Sequence, residues 1–325
     1  ASAGSGHTPA EAGTPGALSG VSGNPACRVT DANHLFRQSL KELCMQTLPE
    51  ISTAWLVTSV IATLFNIIFP IVLAIWLTRR LGEKFKFVLY GALIFLVFQL
   101  LTRVPLVTLL GQQFGATIRQ SATLQWLWIG GLALTAGLFE EVGRYVGYRR
   151  LMRNDARNWR QGVLYGVGQG GFEASVFVGL LGIFGLINVI VLTQLDLATL
   201  GLSAEQQQQI AGQLQTVAEQ PWWFSLIAAW ERIWALAFHV GLSLLVLQVF
   251  WREQWRWLWL AIALHAVVNF VGAGITPLFG LNILWGEVVV TLAGLLGLWL
   301  IFALRRADPN GEQKREVPTT GEVQM

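Results

Sequence analysis

From residue 51 onward the chain consists of long apolar runs separated by short polar and basic connections. The runs lie at roughly 53–77, 86–110, 122–148, 162–192, 222–250, 257–276 and 281–304. About 20 apolar residues cross the hydrocarbon core as a helix, and each run reaches that length. Within a run the apolar positions are continuous and do not alternate, which predicts helices and argues against the strands of a membrane barrel. The expected fold is therefore all-α: a polytopic bundle of about seven transmembrane helices over 51–305. Residues 1–50 read as a tail outside the bundle. Its first 30 positions are rich in Gly, Ala, Ser, Pro and Thr without apolar period, which predicts disorder. No positively charged segment leads into an apolar stretch there, so the tail is not read as a signal peptide. Over 33–48, Phe36, Leu40, Leu43 and Thr47 recur at helical spacing, with Asp31 or Asn33 as N-cap, and predict a short helix on the membrane surface. Residues 306–325 form a second tail.

Composition narrows the class. Of the 325 residues, 54% are hydrophobic and 13% charged, against about a quarter charged in a soluble domain. That balance excludes a disordered chain, a nucleic-acid-binding domain and a small disulfide scaffold. The net charge of +3 matters less than its placement. Arg79, Arg80, Lys84 and Lys86 follow the first run, and Arg149, Arg150, Arg153, Arg157 and Arg160 the third. Arg252 and Arg256 follow the fifth, and Arg305, Arg306, Lys314 and Arg315 the seventh. The opposite connections hold only Arg28, Arg37, Lys41 and Arg119. The positive-inside rule then places the N-terminus outside and the C-terminus in the cytoplasm. Trp222 and Trp223 suit the outer interface, and Trp251, Trp255 and Trp257 the inner one. Cys27 and Cys44 share the outer tail, where a disulfide and two free thiols fit the sequence about equally.

Few charges lie within the runs, and each costs at least about 2.5–3.5 kcal/mol on the lenient insertion scale. Glu140 stands ten positions before Arg150, Glu173 thirteen after Arg160, and His239 thirteen before Arg252. His265 and Asn269 stand nine and thirteen after Arg256. At helical rise these offsets are about 14–20 Å from the basic ends, so four helices put carboxylate or imidazole groups into one layer. Glu140 and Arg144 share a helix face at i,i+4, as do Gln169 and Glu173, and His265 and Asn269. Two His and a Glu suit a catalytic zinc, which takes three protein ligands and an open position. A second Glu beside an arginine can take a proton from bound water. Without metal, a Glu in this layer activates water itself, with imidazoles as oxyanion donors. Arg103, Glu231, Arg232 and Glu287 fall nearer the outer end and are expected to be structural pairs. The expected cavity opens towards the cytoplasm. The glycines at 166, 168, 170 and 171 lack the ending of a phosphate loop. They predict close helix approach and a local distortion beside Glu173.

Five ordered motifs resemble the YhfC family of intramembrane proteases. FEEVGRYVGYRRL at 139–151 is similar to its EExxR motif, and GVGQGGFEA at 166–174 to its glycine-rich second motif. ERIWALAFHVGLS at 231–243 and LHAVVNF at 264–270 resemble its third and fourth, and FLVFQLLTRVPLV at 95–107 its second span. The family looks related to the CPBP proteases, the type II CAAX prenyl endopeptidase and PrsW. The resemblance implies a water-activating Glu140 or Glu141, assisted by Arg144 and Asn269, with Glu173, His239 and His265 binding metal or polarising the carbonyl. It implies a membrane-embedded or membrane-proximal peptide as substrate, the bilayer as surroundings and a bacterial plasma membrane location. Gln169 stands where related members carry His, and Gln is a poor zinc ligand, so zinc and metal-free glutamic chemistry both stay open.

Other readings fit parts of the pattern. Glu140, Glu141 and Arg144 suit an ion pair at a helix end, and His239 and His265 suit interhelical hydrogen bonds. A non-catalytic scaffold, like the multispanning subunit of γ-secretase, accounts for both. A proton-coupled transporter accounts for the layer, but the chain offers no clear inverted repeat.

Overall fold

In the computed structural model, residues 49–309 are described apart from Asp196, 276–278 and Leu281. The expected helix at 33–48 and both cysteines lie outside these residues. Among the described residues all regular structure is helical. α1 is Thr53–Leu81. α2, Lys86–Phe95, continues through a π-helical segment, Leu96–Arg103, into α3, Val104–Arg119. α4 is Ala122–Arg150. α5, Trp159–Phe172, continues through a second π-helical segment, Glu173–Val178, into α6, Gly179–Gln194. α7 is Ala204–Ala218 and α8 is Leu226–Arg252. α9, Arg256–Asn269, ends in a third π-helical segment, Phe270–Ile275, and α10 is Ile283–Arg305.

Six of these continuous helices are long and apolar enough to cross a membrane: α1, α2–α3, α4, α5–α6, α8 and α10. The seventh expected span, 257–276, is a shorter apolar helix, α9 with its π-helical extension. Exposed apolar side chains such as Ile68 and Trp76 on α1, Leu181 and Phe184 on α6, and Trp299 and Phe302 on α10 form a surface that only lipid covers well. The protein is a multi-pass membrane protein.

α8 is the central helix. From Phe238 to Val249 it is buried without interruption, packed against α5 on one side and α10 on the other. Close approach depends on missing side chains. A Cβ on Gly168 would stand 2.0 Å from the Val88 carbonyl oxygen of α2, and one on Gly170 would stand 2.9 Å from the His239 Cβ of α8. The glycines of α5 thus draw two helices into contact, as the sequence predicts.

The basic connections meet at one end of the bundle. Lys86 pairs with Asp155 at 2.5 Å, and Arg160 donates to the Leu81 carbonyl at 3.2 Å. The Trp251 ring nitrogen donates to the Arg157 carbonyl, and that of Trp159 to the Ile301 carbonyl, both at 2.8 Å. At the far end, Trp55 donates to Gln220 at 3.1 Å. The glutamine run there forms part of α7, started by a capping box between Ser203 and Gln206.

Candidate active site

The site is assembled from four helices that fix its groups by helical phase. On α4, Glu140, Glu141 and Arg144 are all buried. Arg144 sends its donors inward. Nε donates to Gln169 Oε1 at 2.8 Å, Nη1 to Glu141 Oε1, and Nη2 to His239 Nδ1 at 2.6 Å; Nη2 also lies 3.9 Å from Glu140 Oε2. Gln169 completes the frame, its Nε2 donating to Glu140 Oε2 at 3.3 Å. The residue at the expected His position therefore bridges the arginine and the carboxylate.

The two imidazoles differ. His265 Nδ1 lies 2.6 Å from Glu141 Oε1, to which it donates a hydrogen bond; in the neutral ring this leaves the lone pair on Nε2. That nitrogen faces Glu140 Oε1 at 3.9 Å. His239 accepts from Arg144 at Nδ1, since a guanidinium only donates. Its Nε2–H therefore donates to Glu173 Oε2, at 2.9 Å. The rings meet edge to face with centroids 5.6 Å apart.

Glu140, Glu173 and His239 each offer one ligand-type atom, and these atoms lie within 4.8 Å of one another. Together they line a cavity of about 350 Å³, with His265 and Asn269 on its wall. Glu141 and Arg144 stand behind the wall and hold it. Glu173 begins the second π-helical segment, Gln99 and Arg103 sit in the first, and Asn269 immediately precedes the third. All three π-helical segments among the described residues thus fall at cavity level. A π-helical turn re-aims side chains and is common at functional sites, and irregular backbone at membrane depth is tolerated where it lines a cavity.

Two expectations are corrected. The first concerns direction. On α4 the lining runs from Ile129 to Glu140 and on α8 from Glu231 to His239, both on the side away from the basic ends. Towards the basic end, Tyr148, Tyr165, Leu242, Leu244, Leu245 and Leu247 are fully buried and close the floor. The cavity therefore does not open at the basic end that the sequence assigns to the cytoplasm. The second concerns residues expected to be structural pairs remote from the layer; Glu231 and Arg232 do pair, but not away from the site. Arg103, Glu231 and Arg232 line the cavity. Arg232 donates to Glu173 Oε1 at 2.9 Å and pairs with Glu231. Arg103 donates to the Leu132 carbonyl at 2.6 Å and to Thr135 at 3.2 Å. Depth alone misplaces them. Phase does not: Arg232 and His239 are seven apart and Gln99 and Arg103 four apart, so each pair shares a helix face. Glu287 stands apart from this cavity and lines another.

The family model described as YhfC intramembrane metalloprotease matches residues 65–290. The chain belongs to this family. The matched region includes every cavity-lining residue from Gln99 to Val290, leaving only Ala293 beyond it. The chain is also 31% identical over 200 residues to the uncharacterized membrane protein YhfC of Bacillus subtilis (strain 168), covering 62% of this chain and 77% of that protein. No solved structure matches.

Proposed function

We propose that this protein is an intramembrane endopeptidase of the bacterial plasma membrane, with Glu140, Glu173, His239 and His265 as its catalytic centre. The observation that carries this reading is the convergence of two carboxylates and an imidazole on one intramembrane cavity within 4.8 Å, in a family described as metalloproteases. The donor set suits a divalent cation such as zinc, which takes nitrogen and oxygen ligands at about 2.0–2.2 Å. Charge agrees in sign: Glu140, Glu141, Glu173 and Glu231 stand against Arg103, Arg144 and Arg232, which leaves one negative charge and favours a cation. When bound, it supplies Lewis-acid polarisation of the scissile carbonyl and a water of lowered pKa.

The chain's own groups then have distinct work. Glu173, His239 and His265 would hold the ion, with His265 closing in from outside the group whose ligand-type atoms already lie within 4.8 Å of one another. Neutral His265 presents its Nε2 lone pair because its Nδ1–H is held by Glu141, whereas ligation through His239 Nε2 requires release of its Arg144 contact. Glu140 takes a proton from the attacking water as the O–C bond forms. It delivers that proton to the amine nitrogen as the C–N bond breaks. Gln169 and Arg144 hold its Oε2 side. Asn269 hydrogen-bonds the substrate from the cavity wall.

The test is cleavage of a doubly labelled membrane-spanning peptide in proteoliposomes. Glu140→Gln is expected to lower the rate at least about 100-fold with unfolding temperature maintained. Full activity in that variant contradicts the role of Glu140. Inactive wild-type protein whose His239→Ala and His265→Ala variants only lose stability points to a scaffold instead.

A further inference from the structure

The turn between α8 and α9 carries a cluster of cations at the basic end of the bundle. Arg252 closes α8 and Arg256 opens α9. Both guanidiniums lie over the ring of Trp257, at 5.2 and 5.3 Å from its centroid. Arg252 is held further by its Nε, which donates at 3.0 Å to Gln248, a side chain with no exposure. Stacking fixes both planes in place, but it neutralises neither. No carboxylate among the described residues pairs with either arginine, whereas Lys86 at the same end is matched by Asp155. Glu253 between them is exposed, so the turn carries one positive charge in excess.

The cluster continues into the membrane. On α9, Arg256 shares a face with Trp259, Leu260, Ala263 and Val267, which follow at three, four, seven and eleven positions. All of them are exposed, Trp259 at 62% and Val267 at 58%, while His265 on the other side of the helix is buried. At helical rise the stripe from Arg256 to Val267 is about 16 Å long, close to half of a hydrocarbon core of about 30 Å. That is the depth of one leaflet. A phosphodiester with an acyl chain below it matches both parts. Guanidinium forks bind phosphate oxygens, and the chain covers the stripe. A zwitterionic headgroup matches less well, because it brings no net charge to the excess cation.

We propose that Arg252 and Arg256 bind an anionic phospholipid of the phosphatidylglycerol type, with Trp257 as the floor of the headgroup site and the exposed face of α9 as the seat of an acyl chain. The lipid braces the helix that carries His265 on its opposite side. Its binding requires nothing of the Glu140 layer.

For the test, full-length protein in a non-ionic detergent is titrated with dioleoyl phosphatidylglycerol or dioleoyl phosphatidylcholine, and retained lipid is read by native mass spectrometry beside the unfolding temperature. Phosphatidylglycerol is expected to bind at least about tenfold tighter, because each guanidinium near a membrane surface contributes roughly a factor of five. It should also raise the unfolding temperature by mass action. Arg252→Gln/Arg256→Gln should bring the two lipids within about twofold of each other. Arg256→Gln alone should lower the preference about fivefold, which locates the site even where the double variant is unstable. Arg79→Gln/Arg80→Gln, a pair at the same end that stacks on no ring among the described residues, should keep the preference. Glycerophosphoglycerol and inorganic phosphate, which lack the chains, should not stabilise the wild-type protein. Equal binding of the two lipids, or a preference that survives Arg256→Gln and the double change, overturns the proposal. So does a preference removed equally by Arg79→Gln/Arg80→Gln, which makes it a diffuse charge effect. Stabilisation by inorganic phosphate alone also overturns it and assigns the turn to a free anion.

Discussion

Arg144 holds the centre together from behind. It reaches Glu141, Gln169 and His239 by hydrogen bonds and stands 3.9 Å from Glu140, entirely out of contact with solvent. Removing one member of a buried ion network leaves its partner charges uncompensated, at a cost of about 3–5 kcal/mol. Arg144→Met is therefore expected to lower the unfolding temperature of the purified protein sharply, and an unchanged melting curve would show that the network contributes little. Glu141 makes a finer test. Glu141→Gln keeps the volume but weakens the acceptor that orients His265. Metal affinity, measured by competition with a chromophoric chelator, should fall about 10–100-fold. The residues of this centre were largely legible in the sequence, because a charge within an apolar run is too costly to be incidental. Their division of labour was not. Spacing cannot say that Glu141 faces His265 while Glu140 faces the cavity, because that depends on how α9 packs against α4.

At the scale of elements, the apolar runs matched the helices to within about four residues, except that the second, expected to end at 110, continues to Arg119, and the basic clusters marked the ends that meet. The π-helical segments were less visible. Only the one beside Glu173 was expected, from its glycines; Phe270–Ile275 carries Gly272 and Gly274 but was not expected, and Leu96–Arg103 has no glycine at all. Helix packing is the more testable feature. A Cβ on Gly168 would meet the Val88 carbonyl at 2.0 Å, while one on Gly185 would meet nothing within 4 Å. Gly168→Ala should destabilise by about 1–3 kcal/mol as α2 and α5 are forced apart, and Gly185→Ala should be neutral. Thermal unfolding of the two variants side by side checks this, and equal effects would contradict the close crossing.

For the whole molecule, the arrangement separates a closed end from an open one. Four basic connections gather where tyrosines and leucines seal the floor, and the polar cavity reaches away from them. The positive-inside rule predicts that the closed end faces the cytoplasm. In a chain whose Cys27 and Cys44 are replaced by Ser, single cysteines introduced at Gly201 and at Glu253 should then react from opposite sides of intact cells with a membrane-impermeant maleimide, the first from outside; labelling of Glu253→Cys from outside would reverse the assignment. The sequence brought these groups into one layer but expected the opening at the basic end, where the structure is closed. Depth measured from charged ends carries no information about which neighbouring residues are large enough to fill the space between helices. The central claim is that this layer is one cation-binding catalytic centre, and metal content tests it most directly. Protein purified without chelators from zinc-supplied cells should carry about one zinc per chain by elemental analysis, and the Glu173→Ala/His265→Ala double variant should carry none while eluting as the same species. Metal-free wild-type protein, or equal zinc in both, would contradict the account.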